Sequence, residues 1–498
     1  MTMDRREVIK SATAAGTGLM PGNLTGPAAE YDRYDALGLA DLISQKQITP
    51  MELLTAVRQR VEAINPQINA FCQLFFEKAE AQIKEGLSGP LAGVPFALKD
   101  LGQYLSGTVT SGGSRVWKDS VATFDSTLVA RYKKAGLVIF GKTTSPELGL
   151  TTTTESVLYG QTRNPWRLDR TSGGSSGGSA AVVASCILPA AHASDGGGSI
   201  RIPASCCGLF GLKPTRGRVP MGPTQFEGWN GLSGHHVVTI SVRDSALLLD
   251  ATAGAELGSP FLSPPPEPTF LKEAGTAPGK LRIALAVETP YGTPLDAECR
   301  QAALDAAKLC ESLGHTVEEA KLPVDFAWMR EAFLTIINVS TARALDEAVA
   351  ALGRPVTERD VETVTWVMSQ QGRKVDAVAY ARAIATAHQV GLQMARFQQD
   401  YDCILSPTLA KPPVPLGVLS LSPENMKTFT KEITEFSPYT ALYNVTGQPS
   451  MSVPLHWTDD GLPVGVMFSG RFGDEATLLR LAAQLEQAKP WAGRKPTS

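Results

Sequence analysis

Between Thr171 and Arg201, two clusters of glycine and serine bracket an apolar run. The first reads Thr-Ser-Gly-Gly-Ser-Ser-Gly-Gly-Ser (171–179), the second Ser-Asp-Gly-Gly-Gly-Ser-Ile-Arg (194–201). Between them, Ala180 to Ile187 is apolar enough for a short core helix. Glycine leaves room for close backbone approach. The stretch therefore reads either as a pair of linkers or as the centre of a packed site. Gly196, Gly197 and Gly198 leave successive N–H groups unobstructed, which is the donor array a developing oxyanion needs. Ser199, at the end of that array, is placed to act as a nucleophile. Taken alone, Gly-Gly-Gly-Ser reads rather as a tight turn with a capping serine.

The first cluster also fits the G-x-S-x-G elbow of α/β-hydrolases, with Ser175 or Ser176 as nucleophile. That reading needs a histidine base. The six histidines are His192, His235, His236, His315, His388 and His456. None stands in a prepared context, and His235-His236 reads as a surface pair. A different base is Lys99, which closes the apolar segment Val94-Pro-Phe-Ala-Leu98. Burial there would disfavour its ammonium form and make it a usable base.

Around this stretch the chain alternates strands and helices. Residues 36–46 suit a helix. Thr49-Pro50-Met51-Glu52 forms a capping box with proline at the first helical position. Leu53, Leu54, Val57, Val61 and Ile64 then share one face, and Asn65-Pro66 is expected to end that helix. A third helix is expected over Phe71 to Glu85, so residues 30–89 read as a helical section packed on the core. From residue 90 onward, strand–helix–strand alternation argues for an α/β fold with a mixed or parallel sheet. Residues 326–400 read as a mostly helical lobe over the site. Late strands are expected near 401–407, 449–454 and 463–468, and a closing helix over 474–487.

The chain has 498 residues, 43% of them hydrophobic, ample for one large core. A formal net charge of −3 gives no reason to expect nucleic acid or an acidic membrane as partner. No apolar run approaches the roughly 20 residues that span a bilayer. The cysteine count of seven is odd and no C-x-x-C pair occurs, which argues against a disulfide framework or a zinc ribbon. At the N-terminus, Arg5-Arg6-Glu-Val-Ile-Lys10 precedes a mild Ala/Gly/Thr run and small residues at 27–29. This resembles a twin-arginine export signal over 1–29, and the expected location is then periplasmic.

Several motifs in one order resemble the amidase signature family. They are Gly93-Val-Pro-Phe-Ala-Leu-Lys99-Asp100, Thr162-Arg-Asn-Pro-Trp166, Gly173 to Ala181, Ser194 to Arg201 and Gly208-Leu-Phe-Gly-Leu-Lys-Pro-Thr215. The resemblance runs from about Ala36 to the C-terminus, and it is greatest to the branch of cyclic-dimer hydrolases, aryl acylamidases and urethanases. It implies the family's α/β fold, a large mixed central sheet covered by helices on both sides, with Ser199 as nucleophile and Ser175, after a cis peptide bond, as proton relay. It implies Lys99 as neutral base and the N–H groups of Gly196, Gly197, Gly198 and Ser199 as oxyanion donors. It calls for no metal or cofactor. The implied partner is a small-molecule amide, and a homodimer is left open. Asp195 and Arg201 are expected to brace the loop.

One departure stands out: the family commonly has threonine or isoleucine where this chain has Gly196. Leu150, Thr152, Thr153, Phe226 and Trp229 are candidate pocket walls. An apolar Leu150 tilts the expected substrates toward hydrophobic acyl or aryl amides, anilides and carbamates among them. Competing readings are the glutaminase subunit of a tRNA-dependent amidotransferase and a non-catalytic binding protein on the same scaffold.

Overall fold

A computed structural model describes residues 30–261 and 267–496. The expected export signal at 1–29 lies outside the described residues. Two sheets organise the chain. The smaller comprises β1 (Phe71–Leu74), β2 (Pro95–Lys99) and β3 (Val138–Thr143), in the order β1-β3-β2. The larger comprises β4 (Ala190–Asp195), β5 (Phe210–Lys213), β6 (Gly234–Thr239), β7 (Arg282–Leu285), β8 (Thr316–Glu319), β9 (Cys403–Pro407), β10 (Ser450–Trp457) and β11 (Pro463–Gly470). Its order is β8-β7-β9-β11-β10-β5-β6-β4. β8, β7 and β9 run parallel, whereas the remaining neighbours are antiparallel, so the sheet is mixed as expected.

The side-chain period of two explains why helices cover both faces. Along β9, Cys403 and Leu405 join the core beneath the helices Ala297–Ser312 and Glu475–Ala488. Ile404, between them, joins the opposite core with Met329, Val390 and Tyr443. Strands β2, β3, β4 and β9 are buried at every position. Such strands read as apolar runs without alternation.

The section before residue 90 is not all helical. Phe71–Leu74 is a strand, pairing antiparallel with β3 from Phe71 opposite Thr143. The preceding helix runs through Pro66 to Ile68 and stops at Asn69, in the left-handed region at φ 50°. Asn65 Oδ1 accepts the N–H groups of Ala70 and Phe71, which turns the chain into the strand. The expected helix begins only at Phe76, whose ring stacks on Phe140. This section is continuous with the core: Asp244 accepts the backbone N–H groups of Ala36 and Leu37 at 2.6 and 3.0 Å.

The lobe consists of α1 (Phe326–Leu352), α2 (Thr363–Gly372) and α3 (Ala377–Phe397), and the later α4 (Met426–Phe436) lies over the same region. Gly372 lets α2 press onto α1, because a Cβ there would collide with the Asn338 carbonyl. His235 and His236 are buried rather than superficial. They lie on β6 between β5 and β4 and point to opposite faces, toward His192 and Ser245 respectively.

Candidate active site

β2 ends where the two sheets meet, and its last residue is Lys99. The Lys99 backbone N–H donates to Nδ1 of His192 on β4, at 3.1 Å. The side chain is wholly buried, 0% exposed. Its ammonium donates to Ser175 Oγ at 2.7 Å and to Ser194 Oγ at 2.9 Å. Burial lowers the Lys99 pKa to about 7, and the nearby Asp195 carboxylate only partly opposes that. Near neutral pH a large fraction of Lys99 is therefore uncharged.

Ser175 follows a cis Gly174–Ser175 peptide bond. Small residues are required on both sides. A Cβ on Gly174 would strike the Thr153 carbonyl, and one on Gly149 would stand 3.0 Å from Ser175 Oγ. Ser176 is not exposed to substrate. Its hydroxyl donates to the Ser194 carbonyl and accepts the Ser194 N–H, both at 3.2 Å. Ser194, which sequence reasoning did not single out, thus holds Lys99 from one side while Ser176 holds Ser194. Its place at the head of the second Gly/Ser cluster was the available signal.

The loop from Asp195 to Arg201 is folded around a buried carboxylate. Burial works against the charged form of Asp195. The Arg201 guanidinium, bonding both carboxylate oxygens at 2.9 and 3.0 Å, nevertheless holds it well below the usual range. Asn444 adds a bond at 2.8 Å. Asp195 in turn accepts the N–H of Gly198 at 2.7 Å and of Ile200 at 3.1 Å. This corrects one expectation. The Gly198 N–H is committed to Asp195 and is not free for an oxyanion. Among the described residues, the N–H groups of Gly196, Gly197 and Ser199 donate to no protein atom. Thr440 Oγ1 donates to the Gly197 carbonyl at 2.6 Å and fixes that peptide. Gly198, at φ 134°, tolerates no side chain because Thr440 and Ile202 fill the space.

Ser199 is 8% exposed and opens into a cavity of about 300 Å³. Leu150, Thr152 and Trp229 line it as expected. Thr153 does not: its hydroxyl donates to the Leu419 carbonyl and its backbone packs on Gly174. Phe226 does not either. Its ring rests beside Gly258 on a separate cleft with Phe261. The turn at Trp229 and Asn230, both at positive φ, sends the indole inward instead. Much of the remaining wall comes from the lobe and α4, through Phe333, Ile337, Met368, Phe429 and Ile433. Their i, i+4 spacing on α1 and α4 was visible, but which surface those faces cover was not.

The absent side chain at Gly196 has a physical reason. A Cβ there would stand 2.5 Å from the Trp229 indole, so the indole occupies the space beside the Gly196–Ser199 loop. Histidine chemistry finds no support. His192 stacks on His235 with ring centroids 5.3 Å apart, and burial holds both pKa values below the ordinary imidazole value. Among the described residues, no histidine hydrogen-bonds Ser175, Ser176 or Ser199.

Comparison with known proteins places this geometry. The family model described as Amidase matches residues 52–479. A 6-aminohexanoate-cyclic-dimer hydrolase of Paenarthrobacter ureafaciens is 38% identical over 475 residues, covering 93% of this chain and 96% of that protein. A solved structure of 6-aminohexanoate cyclic dimer hydrolase superposes with a TM-score of 0.89 at 37% identity, over 94% of this chain and 99% of the other. A bacterial aryl acylamidase of the amidase signature family superposes at 0.83 with 27% identity, over 93% and 99%. The chain belongs to the amidase signature family and is a hydrolase of amide C–N bonds in small molecules.

Proposed function

We propose that Ser199 is the nucleophile, Ser175 the proton relay and Lys99 the base. The observation that carries this assignment is the 2.7 Å bond from Lys99 Nζ to Ser175 Oγ between two buried side chains. Neutral Lys99 accepts the Ser175 proton as Ser175 accepts that of Ser199. Ser199 Oγ bonds to the carbonyl carbon, and negative charge develops on the former carbonyl oxygen. The N–H groups of Gly196, Gly197 and Ser199 stabilise it. Ser175 then returns a proton to the leaving nitrogen, the C–N bond breaks, and an acyl ester remains on Ser199. Water, deprotonated through the same relay, hydrolyses that ester and restores the serine.

The substrates we infer are amides with hydrophobic acyl or aryl groups, including anilides, oligoamides and aryl carbamates. Support comes from the apolar walls formed by Leu150, Trp229, Phe333 and Phe429. It also comes from the activities in the names of the hydrolase and acylamidase relatives. The test is turnover of anilides, primary amides, cyclic oligoamides and carbamates by the wild-type protein and by Ser199→Ala. Turnover of none of them by the wild type would sink the substrate reading. Full activity of Ser199→Ala would sink the nucleophile. We further propose export through the twin-arginine route, on the strength of Arg5-Arg6 and the run that follows. Fusing residues 1–35 to a reporter active only after folded export tests it.

A further inference from the structure

The cavity above Ser199 has one charged side chain among its lining residues. Arg330 lines it, and also lines a groove on the outer surface, as do Met426, Thr430 and Thr434. Arg330 therefore stands at the mouth. Its position relative to the chemistry follows from α1. Phe333 reaches the oxyanion loop, since a Cβ on Gly197 would lie 3.2 Å from its ring. Arg330 is three residues earlier on the same face, about 4.5 Å outward along the helix axis.

The guanidinium is only partly satisfied. Nη2 donates to Thr434 Oγ1 at 3.2 Å, and the group lies 5.9 Å from the Tyr291 ring centroid. Among the described residues no carboxylate lies within ion-pair reach of it. Arginine offers five N–H donors in a planar fork, a geometry that matches a carboxylate. The outer groove carries the same sign. Lys427 and Lys431 line it with Arg330, and its one acid, Glu435, is held by Lys411 at 2.8 Å and Lys431 at 3.8 Å.

We propose that Arg330 receives a carboxylate carried by the substrate, a short carbon chain away from the scissile amide. The enzyme then favours amides with an anionic tail over neutral ones of equal size. The apolar walls hold the carbon chain, Tyr291 and Thr434 hold the guanidinium in place, and the basic groove steers the anion inward. This inference rests on the amidase reading above but concerns only which amides are preferred.

The test uses matched pairs that differ only in the far group. The first pair is the 4-nitroanilide of adipic acid ending in carboxylate, against its twin ending in carboxamide. The second places the same choice on the amine side, in benzoyl-6-aminohexanoate and its carboxamide. The quantity read is the ratio of kcat/KM within each pair. In at least one pair the wild type should favour the carboxylate about tenfold, as one charge-assisted bond to a partly buried guanidinium allows. Arg330→Gln should bring that ratio to about one, Arg330→Lys should keep part of it, and added salt should lower it. Ratios near one in both pairs, or a preference untouched in Arg330→Gln, would overturn the proposal. If neither member of either pair is cleaved, the substrate reading fails instead. Binding of hexanoate against hexanamide, read by tryptophan fluorescence, then decides the role of Arg330. Tighter hexanoate binding lost in Arg330→Gln supports it, and equal binding refutes it.

Discussion

Lys99 Nζ lies 2.7 Å from Ser175 Oγ, with neither residue more than 2% exposed. A pairing of this kind gives a lysine that titrates near neutrality a hydroxyl through which to act. With neutral Lys99 as the proposed base, kcat/KM should rise tenfold per pH unit below about 7 and level off above it. A pH–rate profile checks this. A flat profile from pH 5 to 9, with an unchanged fold, would contradict it.

The same shift predicts a stability trend. Because burial depresses the Lys99 pKa in the folded protein, the unfolded chain holds more protons between about 7 and the ordinary lysine value. Lys99 should therefore make the fold more stable as pH rises through that window. Denaturant unfolding of wild type and Lys99→Met, compared at pH 7 and pH 9, should show the gain in the wild type and a smaller one in the variant.

Asp195 and Arg201 form an ion pair with both side chains at 0% exposure. Removing one partner leaves a buried charge alone, which costs about 3–5 kcal/mol. Asp195→Asn also replaces one carboxylate oxygen with an amide NH2, so the Gly198 and Ile200 N–H groups, which bond different oxygens, cannot both keep their acceptor. The expected result is a large drop in thermal midpoint together with lost turnover. Arg201→Met should destabilise similarly, and wild-type stability in either variant would remove Asp195 from its bracing role.

Much of this site was legible before any coordinates. Lys99, Ser175 and Ser199 each had a bland local reading, and they stood out only because the motifs around them occur together in the order of the amidase signature family. The alternation of strands and helices pointed to an α/β fold with a mixed or parallel sheet, and the family resemblance to the mixed one covered on both faces. Other features depend on what lies across the fold. Phe71–Leu74 is four residues long, too short for its period to separate strand from helix, and the free edge of β3 decided it. His235 and His236 read as surface residues because nothing local reveals that β4 and β5 enclose them. Phe226 and Trp229 were equivalent in sequence. Only the turn at Trp229–Asn230 directs one to the cavity and the other away. That the Gly198 N–H is taken by Asp195 could not be read from three identical glycines.

Gly196 and Trp229 should behave as a coupled pair. Gly196→Ala places a methyl group into the indole, so either the oxyanion loop or the ring must move. We expect a loss of roughly tenfold or more in kcat for Gly196→Ala, in line with overpacking penalties of about 1–3 kcal/mol. Adding Trp229→Ala should recover part of it. A double-mutant cycle on kcat reads the coupling directly, and additive losses would show that the contact does not govern the loop.

In the proposed mechanism the acyl group of the amide is transferred to Ser199 and to no other serine. Intact-protein mass spectrometry with peptide mapping, after brief reaction with a fluorophosphonate and separately with a slowly hydrolysed anilide, tests it most directly. One adduct per chain, on Ser199, is expected in the wild type and none in Ser199→Ala. An adduct mapped to Ser175 or Ser176, or labelling that persists in Ser199→Ala, would contradict it.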